Sequence, residues 1–283
     1  MTDFLETVVA ERRADAQAVR RRDDAPAYSG LPRRSFADAI RAARAAGRIA
    51  VIAEVKRRSP AHGALALDSD PAAVAVVYAR AGAAAISVLT EPRHWGGSVA
   101  DLASVTAAVD LPILYKDVVV DEQQLREAQA IGASAVLLIA EALDDPTLAS
   151  FVQRAAALGL TALVEAHEPR AFARAVASGA TVVGVNARNL RTPSEIDPSR
   201  VDALQGLVHP DQLLVAESGI ASAADVQTLP ARVDAILVGT ALMTAADPGV
   251  LVRELAAARA VPERGRGASD PRAAEGGEGN RGR

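Results

Sequence analysis

Short apolar runs recur along this chain near 50–55, 84–89, 112–116, 134–139, 161–165, 181–185, 213–217 and 234–238. Most are continuous rather than alternating, the pattern of strands buried on both faces of a parallel sheet. Ala-rich stretches with helical periodicity lie between them, near 71–81, 98–108, 121–131, 144–157, 168–178, 198–206 and 221–228, with a last one near 247–260. Eight strand–helix repeats over roughly 210 residues predict an α/β fold, a (β/α)8 TIM barrel, allowing for the usual size of about 250. A doubly wound sheet is the structural alternative. It has no reason to stop at eight strands, and no Gly-x-Gly-x-x-Gly opens the first helix.

Two helices are predicted before the first strand. Over 3–22, Leu5, Val8, Val9, Ala16 and Val19 fall on one face with Phe4 beside them. The run from Arg20 to Asp24 reads as a solvated helix end, and a looser segment holds Pro26, Gly30 and Pro32. A second helix follows over 35–46, with Ser35 as its N-cap. Both read as an extension packed across one end of the barrel. The chain thus divides into a helical extension over 1–47, a catalytic barrel over 48–261 and a tail over 262–283. The tail is mostly Gly, Arg, Glu, Ala, Ser and Asp without aliphatic periodicity, so disorder is expected there.

Charge enters the apolar runs at their ends. The first run passes from Val51 into Glu54-Val55-Lys56-Arg57-Arg58-Ser59-Pro60. Glu54 and Lys56 are two apart, so on a strand they share a side. Inside a closed barrel an unpaired charge is expensive, so the two are either an ion pair or part of an active site. A count favours the second reading. Of 31 basic residues only Lys56 and Lys116 are lysine, and Lys116 closes another apolar run. Arginine stays protonated, whereas lysine gives up a proton when its surroundings lower its pKa.

Composition narrows the class. Half of the 283 residues are hydrophobic and 3% aromatic, ample for a core of branched aliphatics. A net charge of -4 argues against a nucleic-acid or membrane-surface partner. No apolar run reaches bilayer length and the first thirteen residues lack signal-peptide order, so a cytoplasmic protein is expected, a monomer or weak dimer. With no cysteine, thiolate nucleophiles and Cys-metal sites are excluded, and the four histidines (62, 94, 167 and 209) are too scattered to predict a metal. No cofactor is expected.

In this architecture the active site forms at the C-terminal ends of the strands. Those ends carry Glu54 and Lys56, Thr90-Glu91, Lys116-Asp117, Glu141, Glu165, Asn186, Glu217-Ser218-Gly219 and Gly239-Thr240. Asp117, Glu141 and Glu91 are the acids expected to be structural. Glycines after the seventh and eighth strands, with a short helix starting near Thr240, fit an anion such as phosphate.

The motifs Glu54-Val-Lys56-x-x-Ser59-Pro60, Val88-Leu89-Thr90-Glu91, Lys116-Asp117, Val164-Glu165, Asn186-x-Arg188-Asn189-Leu190, Glu217-Ser218-Gly219-Ile220 and Gly239-Thr240 together resemble the indole-3-glycerol phosphate synthases. The resemblance runs in order from about residue 3 to 260. It implies closure of 1-(2-carboxyphenylamino)-1-deoxyribulose 5-phosphate to indole-3-glycerol phosphate, with loss of carbon dioxide and water, in tryptophan biosynthesis. By this resemblance Lys116 is the general acid, its pKa expected to be lowered by the second lysine. Lys56 holds the substrate carboxylate, Glu165 is the general base, and Glu54 orients the lysines or shares that role. Asn186, Arg188, Glu217 and Ser218 bind the substrate. Ser59, Gly219, Gly239 and Thr240 hold phosphate, and Pro60, Trp95, Leu137 and Leu190 wall the aryl ring.

Two departures stand out. The family usually has phenylalanine after Lys-Asp, and here Val118 follows; the loss of a stacking ring motivates altered preference among ring-substituted substrates. Tyr115, where relatives often have arginine, is expected to fill part of that space. The competing enzyme reading, phosphoribosylanthranilate isomerase, would use a cysteine that is missing here. A silent barrel that binds a phosphorylated metabolite predicts erosion of Lys116 or Glu165, and both are present.

Overall fold

The computed structural model describes residues 3–19 and 34–258. The expectations for the Arg20–Asp24 run, the segment with Pro26, Gly30 and Pro32, the Val19 side chain and the tail lie outside the described residues.

Eight parallel strands close into a barrel. They are β1 (Ala50–Val55), β2 (Ala85–Leu89), β3 (Ile113–Lys116), β4 (Ala135–Ile139), β5 (Thr161–Ala166), β6 (Val182–Asn186), β7 (Leu213–Glu217) and β8 (Ala235–Val238). Closure is made where β1 pairs with both β8 and β2, in registers Ala50↔Ala235 and Ile52↔Ala85. Helices cover the outside: α3 (Pro71–Arg80), α4 (Val99–Ala108), α5 (Glu122–Ile131), α6 (Asp145–Ala157), α7 (Pro169–Ala177), α8 (Ser199–Leu204), α9 (Ala223–Thr228), α10 (Thr240–Thr244) and α11 (Pro248–Ala257). The continuous apolar runs follow from this arrangement, since every residue of β1, β2, β4, β6, β7 and β8 is buried against helices outside or side chains inside.

Six of the turns leading into these helices are built alike. Asp70, Ser98, Asp121, Asp144, Ser222 and Asp247 each accept a backbone N–H of the following helix's first turn. Such caps satisfy donors that the helix cannot, and they fix where each loop stops. A two-stranded hairpin, Arg58–Ser59 against Gly63–Ala64, stands in the loop after β1 and was not expected.

The two leading helices correct the expectation of a single covered end. Helix α2 (Phe36–Ala45) lies under the N-terminal end of the barrel, with Phe36 and Ile40 fully buried and Arg44 paired with Asp234, just before β8. Its N-cap is Ser35, as expected. Helix α1 (Phe4–Val19) instead crosses the opposite mouth. There Arg12 forms a two-pronged pair with Asp117, at 2.9 Å on both arms, and Phe4 N–H donates to the Arg191 carbonyl at 3.2 Å. The extension therefore contributes one lid helix and one floor helix.

Candidate active site

Alternation along each strand aims every second side chain at the barrel axis. At the C-terminal ends those inward positions are Glu54, Lys116, Leu137, Ile139, Glu165, Asn186, Glu217 and Leu237, and they line a cavity at the barrel mouth. A second space opens beside it, over the ends of β7 and β8. Glu54, Lys56, Arg188, Ser218 and Leu237 border both. Together the two lobes gather all the sequence-nominated site residues, although Glu54 and Glu217 are 163 positions apart in the chain.

The charges at the boundary are interlocked. Lys56 Nζ sits 3.0 Å from Glu54 Oε1, and Ser87 Oγ donates to Glu54 Oε2 at 3.3 Å. Lys116 Nζ lies 3.5 Å from Glu165 Oε2 and 3.8 Å from Glu217 Oε2. Burial alone would push the Lys116 ammonium down, but Glu165, Glu217 and Glu54 outweigh it and hold its pKa above the usual lysine range. The expectation that Lys56 would lower it is thus corrected: Lys56 is screened by Glu54, and three carboxylates surround the second lysine. Glu54 is under the opposite balance. Burial opposes its ionisation, and Lys56 and Lys116 overcome this to keep its pKa low.

Glu217 is the least paired acid of the group. It is 1% exposed, and neither of its carboxyl oxygens has a hydrogen-bond partner by strict geometry. Burial and the neighbouring Glu165 raise its pKa well above the carboxylate range, against the pull of Lys116.

Three other acids at the mouth are tied into the scaffold, as expected. Glu91 accepts the backbone N–H groups of Arg93, His94 and Trp95 at 2.9, 2.7 and 3.0 Å. Glu141 accepts those of His167 and Glu168 at 2.8 and 3.0 Å. Asp117 takes Arg12, Thr90 Oγ1 at 2.7 Å and the Val118 N–H at 2.8 Å. Burial still raises the Asp117 pKa to about 6 despite Arg12. Tyr115 does not fill the cavity. Next to inward-facing Lys116 it points outward, its hydroxyl donating to Glu127 of α5 at 3.0 Å.

The first lobe is apolar on its outer side. Pro60, Trp95, Val118, Leu137 and Leu190 line it, joined by Phe4, Leu5 and Val8 of α1. Phe4 meets Trp95 edge-on, with ring centroids 5.8 Å apart. These α1 residues were read as helix packing; their place on the cavity wall is set by the Arg12–Asp117 and Phe4–Arg191 contacts, which no local pattern encodes. Ser59 also lies on this lobe rather than on the glycine-lined one.

The second lobe is lined by Gly219, Gly239 and Thr240, with α10 starting at Thr240 as the sequence suggested. Ser218 and Gly219 both adopt left-handed backbone, φ 67° and 75°. Successive peptide N–H groups in such a turn suit an anion. Gly239 has a second duty. A Cβ there would stand 2.3 Å from Glu54 Oε1 and 2.9 Å from Lys56 Nζ, so its missing side chain leaves room for the ion pair. Gly184 on β6 was missed. A Cβ there would stand 2.2 Å from Glu217 Oε1. A glycine inside the aliphatic run Val182-Val183-Gly184-Val185 was the available signal, since such a glycine often marks a close approach.

No helix among the described residues is long and apolar enough to cross a membrane. Fold and site define a (β/α)8-barrel protein whose mouth joins paired lysines and carboxylates to an apolar lobe and a glycine-lined one. The indole-3-glycerol phosphate synthase family model matches residues 5–255, and the chain belongs to that family. It is 51% identical over 218 residues to the indole-3-glycerol phosphate synthase of Parafrankia sp., covering 77% of this chain and 81% of that one. The protein of the same name from Polaromonas sp. is 43% identical over 261 residues, 90% of this chain and 98% of that one. Among solved structures, tryptophan synthase from M. tuberculosis aligns with a TM-score of 0.61 at 16% identity, over 80% of this chain and 99% of that one. A 3-hexulose-6-phosphate synthase aligns with a TM-score of 0.59 at 20% identity, over 75% and 100%. These two likenesses concern the fold alone.

Proposed function

We propose that this chain closes the indole ring of indole-3-glycerol phosphate from 1-(2-carboxyphenylamino)-1-deoxyribulose 5-phosphate, releasing carbon dioxide and water. The observation that carries the reading is the placement of both lysines, each against a carboxylate, between an apolar lobe and a glycine-lined one. The aryl ring occupies the apolar lobe, between Trp95, Pro60, Leu137 and Leu190. The phosphate takes the other, against Gly219, Gly239 and Thr240. That orientation puts the ribulose C2 carbonyl beside the lysines.

The ring carbon bearing the carboxylate attacks C2, and the carbonyl π electrons move onto oxygen. Lys116 donates a proton to that alkoxide. Its raised pKa means it is loaded with a proton throughout the neutral range. Lys56 holds the substrate carboxylate until the bond to carbon dioxide breaks and its electrons restore the aromatic ring. In the dehydration Lys56 protonates the C2 hydroxyl, which leaves as water. A proton leaves the ribulose C1 methylene, whose C–H electrons form the new C1=C2 double bond of the indole while the nitrogen keeps its hydrogen. Glu165, 3.5 Å from Lys116, receives that proton. Glu54 orients Lys56, and Asn186, Arg188, Glu217 and Ser218 hold the chain and its hydroxyls. Desolvation strengthens each of these contacts. The enzyme works in the cytoplasm without a cofactor, as a monomer or weak dimer.

Purified protein mixed with the substrate should develop indole fluorescence, and Lys116→Ala should abolish it. Tight phosphate-dependent binding without turnover in the wild type would mean an altered substrate or a silent barrel, and the catalytic reading would fall.

A further inference from the structure

The glycine-lined lobe is short of free positive charge for a phosphomonoester dianion. Three cationic or titratable nitrogen side chains border it: Lys56, Arg188 and His62. Lys56 is held at 3.0 Å by Glu54, which also faces this lobe and is the acid there. Arg188 Nη1 donates to the Pro193 carbonyl, and burial disfavours its charge. The segments over β7 and β8 that line the lobe contribute no titratable side chain, only Ser218, Gly219, Ile220, Ala221 and the start of α10. His62 differs from the other two. It is solvent-exposed at the tip of the hairpin after β1, with Arg57 of the same loop tied to Asp101 at 3.0 Å.

We propose that His62 is a phosphate ligand of this site, its imidazolium supplying the charge that the lobe otherwise lacks. The hairpin places it well. His62 N–H donates to the Ser59 carbonyl at 3.2 Å, and Ser59 Oγ lies 3.4 Å from His62 Nδ1. Ser59 is 5% exposed and faces the other lobe, so it serves as the fixed post against which the ring turns. One imidazole nitrogen thereby stays near Ser59 while Nε2 is left to meet a phosphate oxygen. This inference rests on the phosphate reading of the lobe.

The sign of the pH dependence follows. An imidazole ordinarily titrates near pH 6.5, and a bound dianion raises that value. The added affinity is therefore complete below the ordinary value and is lost as pH rises through the bound-state one. A charge-assisted contact at a solvent-exposed rim is worth about a tenfold change in affinity. The second ionisation of the ligand itself, near pH 6 for a phosphomonoester, acts alike on every variant and cancels when variants are compared at one pH.

The test measures the KM for substrate and the inhibition constant of inorganic phosphate at about pH 5.5 and about pH 8.5, the two sides of the imidazole titration. Wild type, His62→Gln and His62→Lys are compared. Relative to His62→Gln at the same pH, wild type should lose about tenfold in phosphate affinity across that span. His62→Gln should raise KM more than it lowers kcat, and wild type should match His62→Lys at the lower pH and approach His62→Gln at the higher. A His62→Gln protein that follows wild type, with phosphate still competing, overturns the role of His62 alone. If inorganic phosphate competes in none of the three, the phosphate reading of the lobe falls as well.

Discussion

Gly184→Ala isolates the effect of one methyl group on the reacting carboxylates. The new Cβ would stand 2.2 Å from Glu217 Oε1 and 3.3 Å from Glu165 Cβ. An ordinary contact requires the Glu217 carboxyl to withdraw by roughly 1 Å, a displacement of the size that costs about 100-fold when it misplaces a reacting group. The carboxyl cannot withdraw without changing its distance to Lys116, now 3.8 Å. We therefore expect kcat/KM to fall about 100-fold, equivalent to about 2.7 kcal/mol of transition-state stabilisation. The fold should survive. Alanine in place of a strand glycine gains about 0.5–1 kcal/mol, against about 1–3 kcal/mol for crowding, leaving a Tm change of a few degrees. Gly206→Ala is the control, since nothing lies within 4 Å of its Cβ position. Steady-state kinetics with circular dichroism on both variants decides the matter. A folded Gly184→Ala enzyme within threefold of wild type would refute the reasoning.

Other perturbations test the scaffold and the pocket. Arg12→Met leaves Asp117 buried without its two-pronged partner and should cost about 3 kcal/mol in urea unfolding, the penalty for stripping a buried ion of its counter-charge; an unchanged midpoint would show that Thr90 and the Val118 N–H suffice. Asp117→Asn reads out linkage. The folded-state pKa of Asp117 is raised to about 6 from an ordinary 3.8, so the native state holds the extra proton between those values. Wild-type stability relative to the Asn variant should fall as pH rises from about 4 to 6, and a rising or flat difference in Tm would contradict this. Val118 is buried on the apolar lobe. Val118→Phe should narrow that lobe and reorder the rates of ring-substituted substrates, and an unchanged ranking would remove the proposed link between Val118 and specificity.

Much of the architecture follows from local chemistry. All eight strands lie within about a residue of their apolar runs, because a strand covered on both faces has to be apolar throughout. The helix starts are equally local, since an Asp or Ser cap acts within three residues of itself. The lysines and acids at strand ends were legible for a related reason, as charge closing an apolar run is costly unless it is used.

What the sequence by itself could not determine depends on distances between residues remote along the chain. Lys116 and Glu165 are 49 positions apart, and only barrel closure puts them at 3.5 Å. Hence the direction of the Lys116 pKa came out opposite to expectation. The sequence shows two lysines, and the tertiary structure shows that three carboxylates lie nearer in effect. The placement of α1 over the mouth, and of Phe4, Leu5 and Val8 on the cavity wall, likewise rests on a contact spanning 105 positions between Arg12 and Asp117. The room left by Gly184 for Glu217 exists only between adjacent strands of the closed barrel. Periodicity and capping act over a few residues, so a sequence displays them directly. Electrostatic balance and steric room depend on separations in space, and these are set only when the barrel closes.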